Sequence, residues 1–467
     1  MADGRRKVHN TFQCSLVPDE STPLPMKLLV VVTLVLAFCF MVHLSAQPDD
    51  KRKVEVNVKQ RGAIGDGVAD DTAAIQGALD GGQRTVIIPS GSYKISAALK
   101  VDSGTTIQAD PHAVIRLADH AGNDVGLFLL TNRDFTGGNS DIQVDGGIWD
   151  GNNEHNERGR PGEMPCYTGA ALNFINVRQL ALRNLTVRNP DAYAIRACKL
   201  ADFTIENIGF DFSVTRPNQD GVHLDGFCER GMIRNLRALS AFATNDDMVA
   251  LNADDGSAAE YVIQQGMVPG PIRDIRVEHL RAESAFTFVR LLSHRELIEN
   301  VTVSDVAGGC RFYAINMDRW RFPEGGGNIH NVTLRDFTVR KMPDRFSKQA
   351  AAGQRPLIHI QTAVHGLRIE NFQRMPADDQ PAQTLVVDNG QQNRLLLEGL
   401  TPGQQAELGK LSPAVTPAMF TARAGAEDRV LQMNAAGRVV LPLGGFSLLE
   451  LDAAAPEKTR VIKPDNE

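Results

Sequence analysis

The chain has 467 residues, 42% hydrophobic, 22% charged and 6% aromatic, with 41 glycines and 23 prolines, which is the composition of a folded protein. Its formal net charge of -7 argues against the basic excess of a nucleic-acid binder, so no nucleic-acid partner is expected. The apolar content leans on Val, Ile, Leu and Ala, which suits stacked short strands better than an aromatic-rich sandwich.

From Met26 the chain runs through Lys27 and fifteen uncharged residues, Leu28–Val42, to the small residue Ala46. A charged start, a short apolar core and a small residue read as a cleavable signal peptide over 26–46. Residues 1–25 then form an upstream extension, and the mature protein is secreted or periplasmic. The apolar run falls short of the roughly 20 residues that span a bilayer. Cleavage would leave no stable membrane partner; an uncleaved anchor is the alternative. Four cysteines follow, Cys166, Cys198, Cys228 and Cys310, without metal-ligand spacing. Disulfides and buried free thiols are both open in an oxidising compartment.

Residues 72–80 have helical apolar spacing and are predicted to cap a solenoid, whose terminal rung otherwise exposes its core. Asp71 is placed to cap the N-terminus of that helix. Downstream, a short pattern recurs: an apolar residue, any residue, usually Asn, then another apolar residue. It appears as Leu182-Arg183-Asn184-Leu185, Ile205-Glu206-Asn207-Ile208, Ile233-Arg234-Asn235-Leu236 and Val277-Glu278-His279-Leu280. Later copies are Ile298-Glu299-Asn300-Val301, Leu334-Arg335-Asp336-Phe337 and Ile369-Glu370-Asn371-Phe372. The successive intervals are 23, 28, 44, 21, 36 and 35 residues. Seven copies make chance a poor explanation. Short intervals fit one rung of a parallel β-helix, and long ones a rung with a loop or two rungs. The apolar residues would stack inside the coil, while Asn tolerates the left-handed bend between strands. Residues 341–356 read as a polar, basic-leaning loop between rungs, 411–454 as a strand-rich C-terminal segment broken at Pro442 and Gly444-Gly445, and 455–467 as a polar tail.

The string Gly62-Ala63-Ile64-Gly65-Asp66-Gly67-Val68-Ala69-Asp70-Asp71-Thr72, followed by Ile88-Pro89-Ser90-Gly91-Ser92-Tyr93-Lys94-Ile95, resembles the N-terminal rungs and cap of pectate-lyase-superfamily proteins. Val144-Asp145-Gly146-Gly147-Ile148-Trp149-Asp150-Gly151-Asn152 is similar to a rung of polygalacturonase-like proteins. Within that superfamily, residues 54–400 resemble glycoside hydrolase family 28, of which this would be a divergent member. The resemblance implies an all-β, single-stranded, right-handed parallel β-helix over 54–410 with a short N-terminal capping helix. It also implies a polysaccharide or oligosaccharide substrate, no cofactor, and a monomer.

Two carboxylate motifs stand 26 and 27 residues apart: Pro217-Asn218-Gln219-Asp220-Gly221-Val222-His223 and Thr244-Asn245-Asp246-Asp247-Met248-Val249. One rung lifts the chain about 4.8 Å, so carboxylates on adjacent rungs can flank one sugar bond. Glycoside hydrolysis needs one carboxylic acid to protonate the leaving oxygen and one carboxylate to activate water or attack. Crowding three carboxylates raises at least one pKa. The family resemblance makes Asp246 the general acid and gives Asp220 and Asp247 the attacking water, with inversion at an acidic or pectin-like polysaccharide. Either motif alone also suits an ordinary turn.

The family's G-H-G is absent, since residues 266–270 read Gly-Met-Val-Pro-Gly. Its R-I-K is approximated only by Phe288-Val289-Arg290-Leu291-Leu292-Ser293-His294, where Arg290 takes the carboxylate-binding role and no Lys follows. His223, His294 and Arg311 are substitute polar candidates, and Arg196 and Asn252 are further groove candidates. Asp254-Asp255-Gly256 opens a loop insertion over 254–271 that lacks EF-hand spacing, so no metal is expected there. A polysaccharide lyase on the same fold, or a non-catalytic carbohydrate-binding β-helix, are the competing functions.

Overall fold

The computed structural model describes residues 53–158, 168–254, 267–319, 326–343, 355–375, 383–391, 393–400, 431–432, 439–441 and 444–453. The upstream extension, the signal segment, Cys166, the polar tail and most of the 254–271 and 341–356 loops lie outside them. The described strands form one continuous sheet wound as a right-handed parallel β-helix. Near its start, Val54–Asn57 pairs with Arg84–Ile88, then Thr105–Ala109, then Asn139–Asp145, all parallel.

Strand alternation sends every second residue into the coil. One inner column runs Leu172, Ile195, Val222, Val249, Val289, Ile315, Ile358 and Leu385, in register from rung to rung. Each is fully buried, and each such aliphatic side chain contributes about 1.5–3 kcal/mol by leaving water. The next residue along faces out, and the same register makes a column that is polar except at Ala250: Asn173, Arg196, His223, Ala250, Arg290, Asn316 and His359.

The repeated Asn lies at a bend. Asn184, Asn207, Asn235, His279, Asp336 and Asn371 all have φ between 51° and 61°, the left-handed region that Asn and Asp tolerate. Asn207 Nδ2 donates to Asn184 Oδ1 at 2.8 Å and Asn235 Nδ2 to Asn207 Oδ1 at 2.7 Å. One copy is out of place. The rung partner of Val277 is Val303, so Asp305 continues this ladder, where it meets His279 at 2.5 Å. Ile298-Glu299-Asn300-Val301 occupies the preceding bend, with Asn300 donating to Asp274 at 2.9 Å and receiving Asn331 at 3.3 Å. Two bends per rung use the same chemistry, and a local motif cannot tell them apart.

The predicted cap helix is Thr72–Leu79, which buries Ile75, Ala78 and Leu79 against the first rungs. Asp71 does not cap it by side chain. Its carboxylate instead accepts the N–H groups of Ile64 (2.6 Å) and Gly65 (3.0 Å), tying the entering loop down, while Asp70 accepts from Thr72 N at 3.0 Å. At the other end the last parallel pairing among the described residues is that of Leu385–Val387. Asn393–Glu398 and Phe446–Ala453 pair antiparallel, and Phe446–Ala453 lies antiparallel along Val364–Arg374. The returning strands cover the open edge and core, with Phe446 stacked on Phe372 at 5.4 Å. Cys198 and Cys228 are buried free thiols, and Cys310 is buried with its Sγ 3.8 Å from the Arg340 carbonyl. Among the described residues no helix is long and apolar enough to cross a membrane.

Candidate active site

The polar column and the turn before it build a cleft. The turn ahead of Val222–Leu224 carries Asp220, and Asp247 opens the next strand, Asp247–Asn252. Val222 is in register with Val249, so Asp220 and Asp247, each two residues earlier, occupy the same position on consecutive rungs. Gly221 between them donates its N–H to the carbonyl of Asp247 at 2.9 Å. A Cβ at Gly221 would stand 2.5 Å from the Met248 carbonyl oxygen, so only glycine allows this approach. Asp220 and Asp247 are buried, whereas Asp246 stays partly open to the cleft.

Hydrogen bonds fix the neighbours. His223 Nδ1 lies 2.6 Å from Asp220 Oδ2, and the imidazole packs edge-on against Tyr193 with centroids 4.8 Å apart. Asn218 receives Arg158 at 2.6 Å on its oxygen and donates to Asp246 Oδ2 at 3.3 Å. Arg290 Nε and Nη2 donate bidentately to Asp318 at 3.0 and 2.9 Å, while Nη1 stands 3.6 Å from Asp247 Oδ2. That Asp247 oxygen is buried without a hydrogen bond among the described residues.

These surroundings push the carboxyls apart from ordinary aspartates. Burial, then the charges of Asp247 and Asp220, hold Asp246 well above the usual carboxylate range against the pull of Arg290 and His223. Burial pushes Asp247 up to about 7, with Arg290 opposing and Asp220 and Asp318 adding to the rise. An acid that keeps its proton beside one that sheds it near neutrality can serve as a general acid and general base pair.

Asp220, Asp246, Asp247, His223, Arg290 and Asn252 converge on this cleft, which holds about 210 Å³ of space. Three predicted contacts lie elsewhere. Arg196 is buried behind His223, in a bidentate pair with Asp225 at 2.9 and 3.3 Å and under the Tyr193 ring. Arg311 is fully buried and donates to Asn245 Oδ1 at 2.6 Å, which steadies the turn leading into Asp246. His294 sits in a tight turn whose backbone N–H groups, with those of Arg295 and Glu296, donate to Asp254 at 2.7–3.0 Å. A parallel coil turns alternate residues inward or into its walls, so polarity alone did not place them.

Sequence reasoning missed Asp318, Asn316, Thr287, Tyr193 and the pair Phe286 and Phe312, all lining the cleft. Phe286 and Phe312 stack in parallel, with centroids 4.5 Å apart and planes at 11°. The usable signal was spacing: Asp318 follows Arg290 by 28 residues and Phe312 follows Phe286 by 26, each about one rung. Among the described residues no group of three or more His, Cys, Asp or Glu side chains is arranged to hold a metal ion.

Residues 55–155 match the family model described as rhamnogalacturonase A/epimerase, pectate lyase-like. This stretch is a pectate lyase-like domain. The chain is 30% identical over 177 residues to the pre-neck appendage protein of Bacillus phage phi29, covering 36% of this chain and 19% of that protein. It is 32% identical over 174 residues to a mannuronan C5-epimerase of Azotobacter vinelandii, covering 30% of this chain and 17% of the other. The matches thus span under a fifth of either relative. Among solved structures, the N-terminal fragment of bacteriophage phi29 gene product 12 superposes with a TM-score of 0.51 at 16% identity, over 77% of this chain and 60% of that one. A family 28 exopolygalacturonase of Yersinia enterocolitica gives 0.49 at 17% identity, over 72% and 74% of the two chains. At such identities the likeness to solved structures is one of fold. The proteins similar in sequence include mannuronan C5-epimerases, phage pre-neck appendage proteins and a plasmin and fibronectin-binding protein of Streptococcus pneumoniae.

Proposed function

We propose that this chain is an inverting glycoside hydrolase of polygalacturonase type, acting on a polysaccharide outside the cytoplasm. The observation that supports it is the adjacent pair Asp246 and Asp247 beside Asp220, with Asp247 buried, Asp246 opening on the cleft and both carboxyls raised above ordinary aspartates. Asp246 gives its proton to the glycosidic oxygen as the bond from the anomeric carbon to that oxygen breaks. Water attacks the anomeric carbon from the opposite face, and its proton passes to Asp247. Asp220 is bonded to His223, so its part is to orient the water together with the imidazole. Arg290 stands between Asp247 and Asp318 and keeps Asp247 from rising further. The test is a polysaccharide panel assayed for new reducing ends with wild type and Asp246→Asn. Turnover by wild type alone is expected, and equal turnover by both would sink the reading. N-terminal sequencing of the exported protein tests cleavage after Ala46.

A second reading is favoured by one contact. A buried imidazole held by a carboxylate at 2.6 Å, as His223 is by Asp220, can also take the proton next to a uronate carboxyl in elimination or epimerisation. Products carrying a new double bond, or inverted at the carbon that bears the carboxyl, would support it over hydrolysis.

A further inference from the structure

We propose that the sugar unit held at Asp246 and Asp247 is uncharged, a neutral hexose or deoxyhexose rather than a uronate. The proposal rests on the glycosidase reading of the same cleft: it keeps the polygalacturonase-type carboxylate mechanism and replaces the uronate at this position with a neutral sugar. Four carboxyls line the cleft, those of Asp220, Asp246, Asp247 and Asp318. Against them stand His223 and one guanidinium, Arg290, among the described lining residues.

A uronate receptor needs a fork of donors aimed at the ligand. In Arg290 that fork, Nε and Nη2, is closed on Asp318 at 3.0 and 2.9 Å, and Nη1 faces Asp247 at 3.6 Å. The remaining lining groups suit hydroxyls. Asn252 is 1% exposed, and its Oδ1 finds no hydrogen-bond donor among the described residues. A sugar hydroxyl can donate to that oxygen, whereas a carboxylate can only accept. Asn316 and Thr287 add neutral polar groups on the next rungs. The stacked rings of Phe286 and Phe312 are half-buried, and such rings suit the C–H face of a pyranose.

The test uses matched pairs with one linkage: polygalacturonate oligomers and their carboxyl-reduced, neutral products, and alginate oligomers with theirs. Calorimetric titration of Asp246→Asn reads binding, and end-group assay of wild type reads cleavage. At least tenfold tighter binding of a neutral member is expected, with the same preference in kcat/KM. Equal or tighter binding of the uronate member in every pair, or no binding by any, overturns the proposal. Neutral binding without cleavage breaks the hydrolase reading and leaves this one standing. Hydrolysis of the uronate member in preference does the reverse. Asp318→Asn, which opens the Arg290 fork, is expected to shrink the wild-type preference at least threefold. An unchanged preference in a folded Asp318→Asn protein removes the clamp from the explanation.

Discussion

The ladder bend and the cleft are made from the same rungs and much the same residues, yet they treat an aspartate in opposite ways. At the ladder bend Asp305 accepts from Arg281 and His279, and at the preceding bend Asp202 accepts from Arg230; both carboxyls are held below the usual range, first by those hydrogen bonds. In the cleft, burial leads, and Asp246 and Asp247 are pushed up. The backbone coil is common to both, so the difference lies in solvent and partners. Exposed aspartates were given donors and serve the fold, whereas in the cleft the buried Asp247 Oδ2 has no hydrogen-bond donor among the described residues. A protein seldom leaves a buried carboxyl oxygen without a donor unless the site uses it.

The largest effect that sharpens this contrast is on chemistry. Asp246→Asn should lower kcat by about 10^2–10^4-fold with the fold retained, read by end-group assay and circular dichroism. Next is the buried ion pair behind the cleft, whose side chains are 3% and 0% exposed. Arg196→Leu strands Asp225 and should cost about 3–5 kcal/mol in urea unfolding. A loss below 1 kcal/mol would mean that this wall behaves like the exposed bend.

Asp247 tests the contrast through pH. Its folded pKa of about 7 lies above the unfolded value of about 3.9, so the native state holds the proton more tightly. Wild-type stability is therefore greatest from this group below about pH 4 and declines as pH rises towards 7. Asp247→Asn should stabilise the protein at pH 8 by at most about 4 kcal/mol, and the gain should vanish near pH 4. Activity of the wild type should rise through about pH 7 as Asp247 becomes available as a base. Asn235→Ala, on the ladder, is the smallest change. It removes the 2.7 Å bond to Asn207 and puts Ala at φ 54°, which should cost about 1–2 kcal/mol and leave kcat unaltered.

Much of the site was legible beforehand because carboxylates one rung apart leave a sequence interval that survives without coordinates. Asp220, Asp246 and Asp247 were singled out by that interval together with their likeness to family motifs, and the structure brings them to one cleft with His223, Arg290 and Asn252. Asp318 was not, although it stands one rung beyond Arg290, because its role exists only as a partner. The displaced repeat copy at Asn300 failed for a related reason: two bends per rung look alike locally.

By itself the sequence determined a coil of stacked strands, its capping helix and the aspartates that meet on one face. The coil follows from residue periodicity and from the few residue types that accept a left-handed bend, and the cap and aspartates from spacing together with the family resemblance of their motifs. The tertiary structure alone decided which bend each Asn occupies, which arginines sink into the wall, and that Arg290 is clamped by Asp318. Loops of unequal length make the rung interval vary, so register is set by hydrogen bonding between rungs. Burial, and with it the upward shift of Asp246 and Asp247, follows from that register.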